Sequence, residues 1–224
     1  MKYATKKILR DYTATVTIAV VLAILIRTYL VEAYRIPSQS MKPQLLAGDT
    51  IFVGKWPQKL DQNILPSRGD VVVFTNSAGT TAKSSDYIRR VVGLPGDVLT
   101  LKAGHLFLNG KSLLVKEKQS ENPSCFVEKL SKNIEYQVCS ESSFFPDFGP
   151  EKVPENSVFV IEDSRTVTQQ NTIELQGALK RKGWGIIPIS SIKGKALWIW
   201  LSIEETEKPS WLPRLRLERM FRRI

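Results

Sequence analysis

Asp86-Tyr87-Ile88-Arg89-Arg90-Val91-Val92-Gly93-Leu94-Pro95-Gly96-Asp97 reads as one β-strand and the turn that stops it. Aromatic and β-branched residues dominate Tyr87 to Val92, and Pro95-Gly96-Asp97 cannot continue a ladder. The strand is therefore expected over Asp86 to Leu94. Similar runs lie on both sides. Upstream are Thr50-Ile51-Phe52-Val53 and Asp70-Val71-Val72-Val73-Phe74. Downstream are Val98-Leu99-Thr100-Leu101 and His105-Leu106-Phe107-Leu108, the latter followed by the hairpin pair Asn109-Gly110. Val158 to Ile161 and Gly194 to Ile203 complete the set, with Trp198 and Trp200 on one face of the last strand. Lys55 to Gly69, Asn76 to Ser85 and 163–183 read as polar loops, and no helical heptad or internal repeat appears. The fold class is mostly β: a coiled, partly closed sheet hung on one N-terminal helix.

The chain has 224 residues, enough for one anchor and one sizeable domain. A hydrophobic content of 42% lets the bulk of it fold. A formal charge of +10 admits nucleic acid or an anionic membrane as partner. The basic residues cluster at both ends beside apolar or Trp-bearing segments, which favours the membrane and argues against nucleic acid. A single histidine, His105, sits in a turn-like Ala-Gly-His stretch and is a poor triad member. The two cysteines do not have the spacing of a metal-ligand pair. Neither a metal nor a cofactor is expected.

Residues 1–10 carry Lys2, Lys6, Lys7 and Arg10 and no acidic residue. Thr13 to Ile26 is nearly all apolar or Thr, and Arg27 ends the run. A cytoplasmic N-terminus over 1–10 and a transmembrane anchor over 11–31 follow from the positive-inside rule. The alternatives are a cleaved signal peptide and a buried helix of a soluble protein; no clean small-x-small cleavage site follows the run. Residues 32–115 and 151–208 are read as one β-domain, 116–150 as an inserted hairpin or cap, and 209–224 as a basic tail. Cys125 and Cys139 enclose a modest loop on the exported side, where a disulfide is expected; reversed orientation would leave two thiols.

Just past the apolar segment lies Ile36-Pro37-Ser38-Gln39-Ser40-Met41-Lys42-Pro43. Two serines one residue apart in an extended, Pro-flanked run point to the same side. One can act as nucleophile and the other as a nearby hydrogen-bond donor.

These stretches together resemble the bacterial type I signal peptidase family over nearly the whole chain. Pro37 to Leu45 is similar to the family's nucleophile box, with Gln44 where Thr is usual. Gly48 to Val53, Arg68 to Phe74 and Asp86 to Asp97 are similar to the boxes that follow, the last being long and highly specific. The Asn109-Gly110 hairpin, the strand from Pro154 to Ile161, Gly194-Lys195-Ala196 and the Arg-rich end also fit. The resemblance implies Ser40 as nucleophile and Ser38, with the Ser40 backbone N–H, as oxyanion hole. Ile36, Pro37, Gln39, Tyr87 and Ile88 would line an extended signal peptide.

Two departures stand in one cluster. The family's general-base lysine falls on Arg89. A buried lysine can be neutralised, whereas arginine keeps its charge and has no lone pair to offer. Where the family runs Gly-Asp-Asn-Arg, this chain has Glu162-Asp163-Ser164-Arg165. Asp163, Arg165 and Thr168 are the supporting candidates, with Gln170 and Thr172 at later Asp and Arg positions. A second alignment puts Asp163-Ser164-Arg165 on the later Asp-Ser-Arg instead. The implied activity is a membrane-bound serine endopeptidase of the bacterial inner membrane, single-pass, with its domain on the extracytoplasmic side. It would remove signal peptides from exported preproteins, work as a monomer and touch the lipid bilayer. Lys42, Lys55 or Lys83 can be recruited as base. The rival is a catalytically impaired paralogue that binds signal peptides or a membrane partner.

Overall fold

The computed structural model describes residues 2–55, 65–76, 85–118, 124–140, 147–165, 184–204 and 214–224. Helix α1 (Lys2–Tyr29) leads into β1 (Val31–Arg35) and β2 (Asp49–Lys55). Then come β3 (Val71–Asn76), β4 (Ser85–Gly93), β5 (Val98–Lys102), β6 (His105–Leu108) and β7 (Lys111–Ser112). β8 (Leu114–Lys118), β9 (Ser124–Ser131) and β10 (Ile134–Ser140) follow. The chain then forms β11 (Phe148–Lys152), β12 (Ser157–Ile161), β13 (Trp184–Pro188) and β14 (Ile192–Ser202). Among the described residues these make three sheets. A seven-stranded sheet has the order β1-β2-β14-β3-β4-β12-β13, a three-stranded one β10-β9-β8, and a four-stranded one β11-β5-β6-β7.

None of these sheets closes on itself, which corrects the partly closed arrangement expected from sequence. β1 and β13 lie at opposite ends of the large sheet and do not pair. The coiling comes instead from irregular registers. β14 shifts register between Ala196 and Trp198 and again between Ile199 and Leu201. Such bulges bend a strand and raise its twist, so one long strand serves β3 at its start and β2 along the rest.

At β3 both faces of the large sheet are buried. Val71 and Val73 enter a cluster with Ile36, Met41, Leu45 and Ile51. Their neighbours Val72 and Phe74 enter another with Val91, Val158 and Val160. An uninterrupted apolar run is what a strand covered on both faces requires. Phe159 and Ile161 join a third cluster that reaches Leu99, Leu106, Phe126 and Val138 and welds the smaller sheets to the large one.

Among the described residues no helix is long and apolar enough to cross a membrane. The spanning anchor expected over 11–31 is thus not seen, although α1 is helical to Tyr29. The uncharged apolar run is short, with Thr13, Thr15 and Thr17 at one end and Arg27 at the other. Thr17 spends its hydroxyl on the Thr13 carbonyl at 2.8 Å.

Cys125 and Cys139 are joined across β9 and β10, where they are direct register partners. Closing a loop of this size contributes about 3 kcal/mol.

Candidate active site

The loop from Ile36 to Asp49 is pinned at its base. Ile36 N–H donates to the Asp49 carbonyl at 2.8 Å, and Gly48 N–H to the Ile36 carbonyl at 3.0 Å. Gly48 has φ +87°, and a Cβ there would meet the Ile203 carbonyl oxygen at 2.0 Å, so glycine is required. Ile36, Met41 and Leu45 are all buried in the core beneath. Sinking side chains at that spacing is incompatible with an extended run. The segment instead turns, with Lys42 N–H bonded to the Gln39 carbonyl at 3.0 Å and Leu45 N–H to the Met41 carbonyl at 2.8 Å. This corrects the extended conformation expected for Ile36 to Pro43.

The two serines still face one another. Ser38 Oγ donates to Ser40 Oγ at 3.2 Å. Ser38 and Gln39 are exposed, Pro37 is exposed and Ser40 is half-buried. Of the candidate substrate-lining residues, Ile36 is in the core, while Tyr87 and Ile88 are half-buried on β4.

Arg89 comes to Ser40 from the side. Its Nη1 lies 3.3 Å from Ser40 Oγ and 2.7 Å from the Ile88 carbonyl. Its Nη2 lies 2.5 Å from Glu162 Oε1, and both side chains are almost wholly shielded from solvent. Register explains this meeting. Antiparallel β4 and β12 pair Arg90 with Ile161, so the next step along each strand brings Arg89 beside Glu162. Burial pushes the Glu162 carboxyl up to about 7, against the pull of Arg89 and with a further push from Asp163. Burial likewise lowers Arg89 from its ordinary value, opposed by Glu162.

Arg90 projects to the other side of β4, as strand alternation demands. Its Nε and Nη2 hold the Asp163 carboxylate at 2.7 and 2.5 Å, and Nη1 reaches the Gly69 carbonyl at 2.9 Å. Burial opposes the Arg90 charge, but Asp163 outweighs it and raises the guanidinium above its ordinary value. Arg165 forms a second bidentate pair with Glu128, Nη1 to Oε1 at 2.7 Å and Nη2 to Oε2 at 2.6 Å. The Tyr136 hydroxyl also donates to Glu128. Between these clamps, Ser164 N–H donates to the Ser40 carbonyl at 3.0 Å. The Asp163 carbonyl accepts from Cys139 N–H at 3.1 Å, and Arg165 N–H donates to the Cys139 carbonyl at 2.8 Å. Residues 162–165 are therefore fixed to β4, to the disulfide hairpin and to the serine loop together.

Asp163 and Arg165, both expected as supporting residues, stand here through Arg90 and Glu128 rather than beside Ser40. Thr168, Gln170, Thr172 and Lys83 lie outside the described residues. Lys55 donates to the Thr28 carbonyl. His105 packs edge-on against Phe126 on the hairpin, with ring centroids 5.0 Å apart. Glu128, Tyr136 and Glu162 join the site although no sequence motif gives them a role. Glu162 was visible as an acidic residue in a strand-end motif, but only the register reveals its partner.

Another buried carboxylate, Asp49, braces the loop from behind. Asp49 Oδ1 accepts from Ser202 Oγ at 2.6 Å and Oδ2 from Arg219 Nη2 at 2.7 Å. Leu46 N–H adds 2.9 Å. Arg219 also reaches the Gln44 carbonyl at 2.9 Å. The segment carrying it runs along β14, with Ile199 N–H bonded to the Arg222 carbonyl at 2.9 Å and Ile224 N–H to the Leu197 carbonyl at 3.1 Å.

This arrangement presents a hydroxyl that accepts hydrogen bonds from a second hydroxyl and from a cation. Both donors favour the anionic oxygen over the neutral one. Among the described residues no cluster of side chains is suited to hold a metal.

A family model described as "Signal peptidase, peptidase S26" matches residues 9–201. The chain is 34% identical over 210 residues to signal peptidase I of Pseudomonas fluorescens, covering 86% of this chain and 72% of that one. It is 31% identical over 203 residues to signal peptidase I P of Bacillus subtilis subsp. natto, covering 91% and 94%. A crystal structure of a signal peptidase I from Enterococcus faecalis is 21% identical and covers 59% of this chain and 97% of that chain. Its TM-score of 0.34 is too low to compare site geometry.

Proposed function

This chain belongs to the signal peptidase family, peptidase S26, and from that premise we propose that it removes N-terminal signal peptides from exported preproteins through an acyl-enzyme on Ser40. The observation that carries the proposal is the half-buried Ser40 hydroxyl, held between Ser38 and Arg89 at 3.2 and 3.3 Å. Ser40 Oγ would attack the scissile carbonyl carbon, its proton passing to a recruited lysine, Lys42 or Lys83, and from there to the departing amine, while the carbonyl oxygen takes the negative charge. Ser38 Oγ and the Ser40 N–H would stabilise that oxyanion, each donor contributing about 3 kcal/mol. Collapse would expel the new amine, and water would then release the signal peptide from Ser40.

An extended substrate needs an open strand edge. β12 pairs only with Arg90 to Gly93 of β4. Asp86 to Ile88 thus have β3 on one side and, among the described residues, no strand on the other. That edge supports strand addition beside Tyr87 and Ile88.

We further propose that the protein works as a monomer at the outer face of the bacterial inner membrane, held by α1. Val16, Ile18, Leu22 and Ile24 of α1 are more than half exposed, as a lipid-facing surface would be. Trp198, Trp200, Leu217 and Phe221 expose further apolar surface, next to the exposed Arg222 and Arg223.

One observation favours the rival reading of a signal-peptide-binding protein without hydrolysis. The group on Ser40 Oγ is a guanidinium already engaged by Glu162, and it cannot take the serine proton. Cleavage of a signal-peptide reporter by the purified full chain decides between them. The peptidase reading expects a product that S40A makes at least about 1,000-fold more slowly. Reporter binding without any product selects the rival.

A further inference from the structure

Resting on the peptidase reading of Ser40, we infer that Glu162 is a positioning residue that fixes the charge and the aim of whatever cation stands at position 89. Arg89 and Glu162 act as one unit beside the nucleophile.

The geometry leads there directly. Arg89 divides its two terminal nitrogens between partners: Nη1 to Ser40 Oγ and the Ile88 carbonyl, Nη2 to Glu162 Oε1. The Ile88 carbonyl and the carboxylate engage the two terminal nitrogens, and Ser40 Oγ shares Nη1 with the Ile88 carbonyl. Tyr87 adds its ring face, 5.7 Å from the Arg89 Cζ. The charged groups acting on Glu162 are Arg89 from β4 and Asp163 next to it in sequence, and Asp163 is itself clamped by Arg90. Arg89 is thus the opposite charge that Glu162 meets directly, and an anion 2.5 Å away draws position 89 toward the protonated form, against burial that draws it the other way.

The consequence is that in R89K the introduced ammonium would inherit Glu162, which holds it toward the charged form against burial. Removing the carboxylate as well takes away that opposition, so burial lowers the lysine's pKa further.

The test compares full-chain R89K with R89K/E162Q, with folding checked by circular dichroism. The titration of the introduced lysine is followed by its 13Cε resonance, and reporter cleavage is measured from pH 6 to 10. The expected result is a lysine pKa lower in R89K/E162Q by at least about one unit, with about tenfold faster cleavage at pH 8, the gain in neutral fraction that one unit brings. Equal lysine pKa values in the two variants would overturn the inference whether or not peptide is cut. Separated pKa values with no cleavage, or with cleavage that survives S40A, would leave Glu162 in this role and remove the peptidase reading. Should R89K/E162Q fail to fold, R89K/E162A carries the same comparison.

Discussion

Arg165 is 2% exposed, and its guanidinium is held by Glu128 and the Gly104 carbonyl, the latter at 2.6 Å. Its net worth to stability as a pair is small, because both charges leave water to form it. Removing one partner is a different matter. Glu128→Ala would leave a buried cation unpaired and the Tyr136 hydroxyl without its acceptor. A loss of about 3–5 kcal/mol is expected, read from urea denaturation, with Glu128→Gln costing less. If the alanine variant unfolds at the wild-type midpoint, residues 162–165 are not held in the way described. At this scale the sequence was readable where neighbours in the chain are neighbours in space. Ser38 and Ser40 are two residues apart and meet. Arg165 and Glu128 are 37 apart, and nothing local to either marks the other.

Within the basic tail expected over 209–224, Leu215 and Arg223 make isolated bridges to Ile203 and Trp198, and Arg219 reaches Asp49. Burial works against ionised Asp49, but Arg219, the Leu46 N–H and Ser202 outweigh it and set the carboxyl below its ordinary 3.8. A depressed folded pKa stabilises the fold above the unfolded value and ceases to do so as pH falls through the folded one. The wild type should therefore lose stability steeply below about pH 4, and Arg219→Ala should show less of that loss. At pH 7 the same variant should be about 2–3 kcal/mol less stable, less than a wholly broken buried pair because Arg216, Ser202 and Leu46 remain. Thermal melts from pH 3 to 7 give both quantities. Among elements, β2, β3, β4, β5, β6, β12 and β14 were legible because their apolar runs or alternation match a buried strand. β11 and β13 were not. Gly149-Pro150 interrupts the first, and the second holds Gly185 and ends at Pro188. β9 and β10 turn Glu128 and Tyr136 into the core, which blurs the alternation that sequence reading looks for.

For the whole molecule, the charge of +10 and the exposed aromatic residues act on one another's behalf only if they share a face. Trp198 is bridged to Arg223, and Trp200 stacks on Phe52 with centroids 5.6 Å apart. A surface of this kind binds anionic bilayers through both apolar insertion and counter-charge. The full chain is expected to sediment with vesicles containing phosphatidylserine. R222A/R223A should weaken this by about tenfold or more at low salt, with less effect on neutral vesicles. Equal binding by the variant would remove this face from the membrane contact. The family and the mostly-β class were legible across the chain because long motifs specify both. The openness of the sheets was not, since closure depends on how far twist carries the two edge strands and no residue pattern fixes that.

Asp49 obtains Arg219 from 170 residues further along the chain. The serine loop is consequently braced by a contact that closes a long stretch of chain, whereas its own turns join residues only a few positions apart. Loop closure of that length carries an entropic cost that local turns do not. Order around Ser40 is thus coupled to long-range closure of the fold.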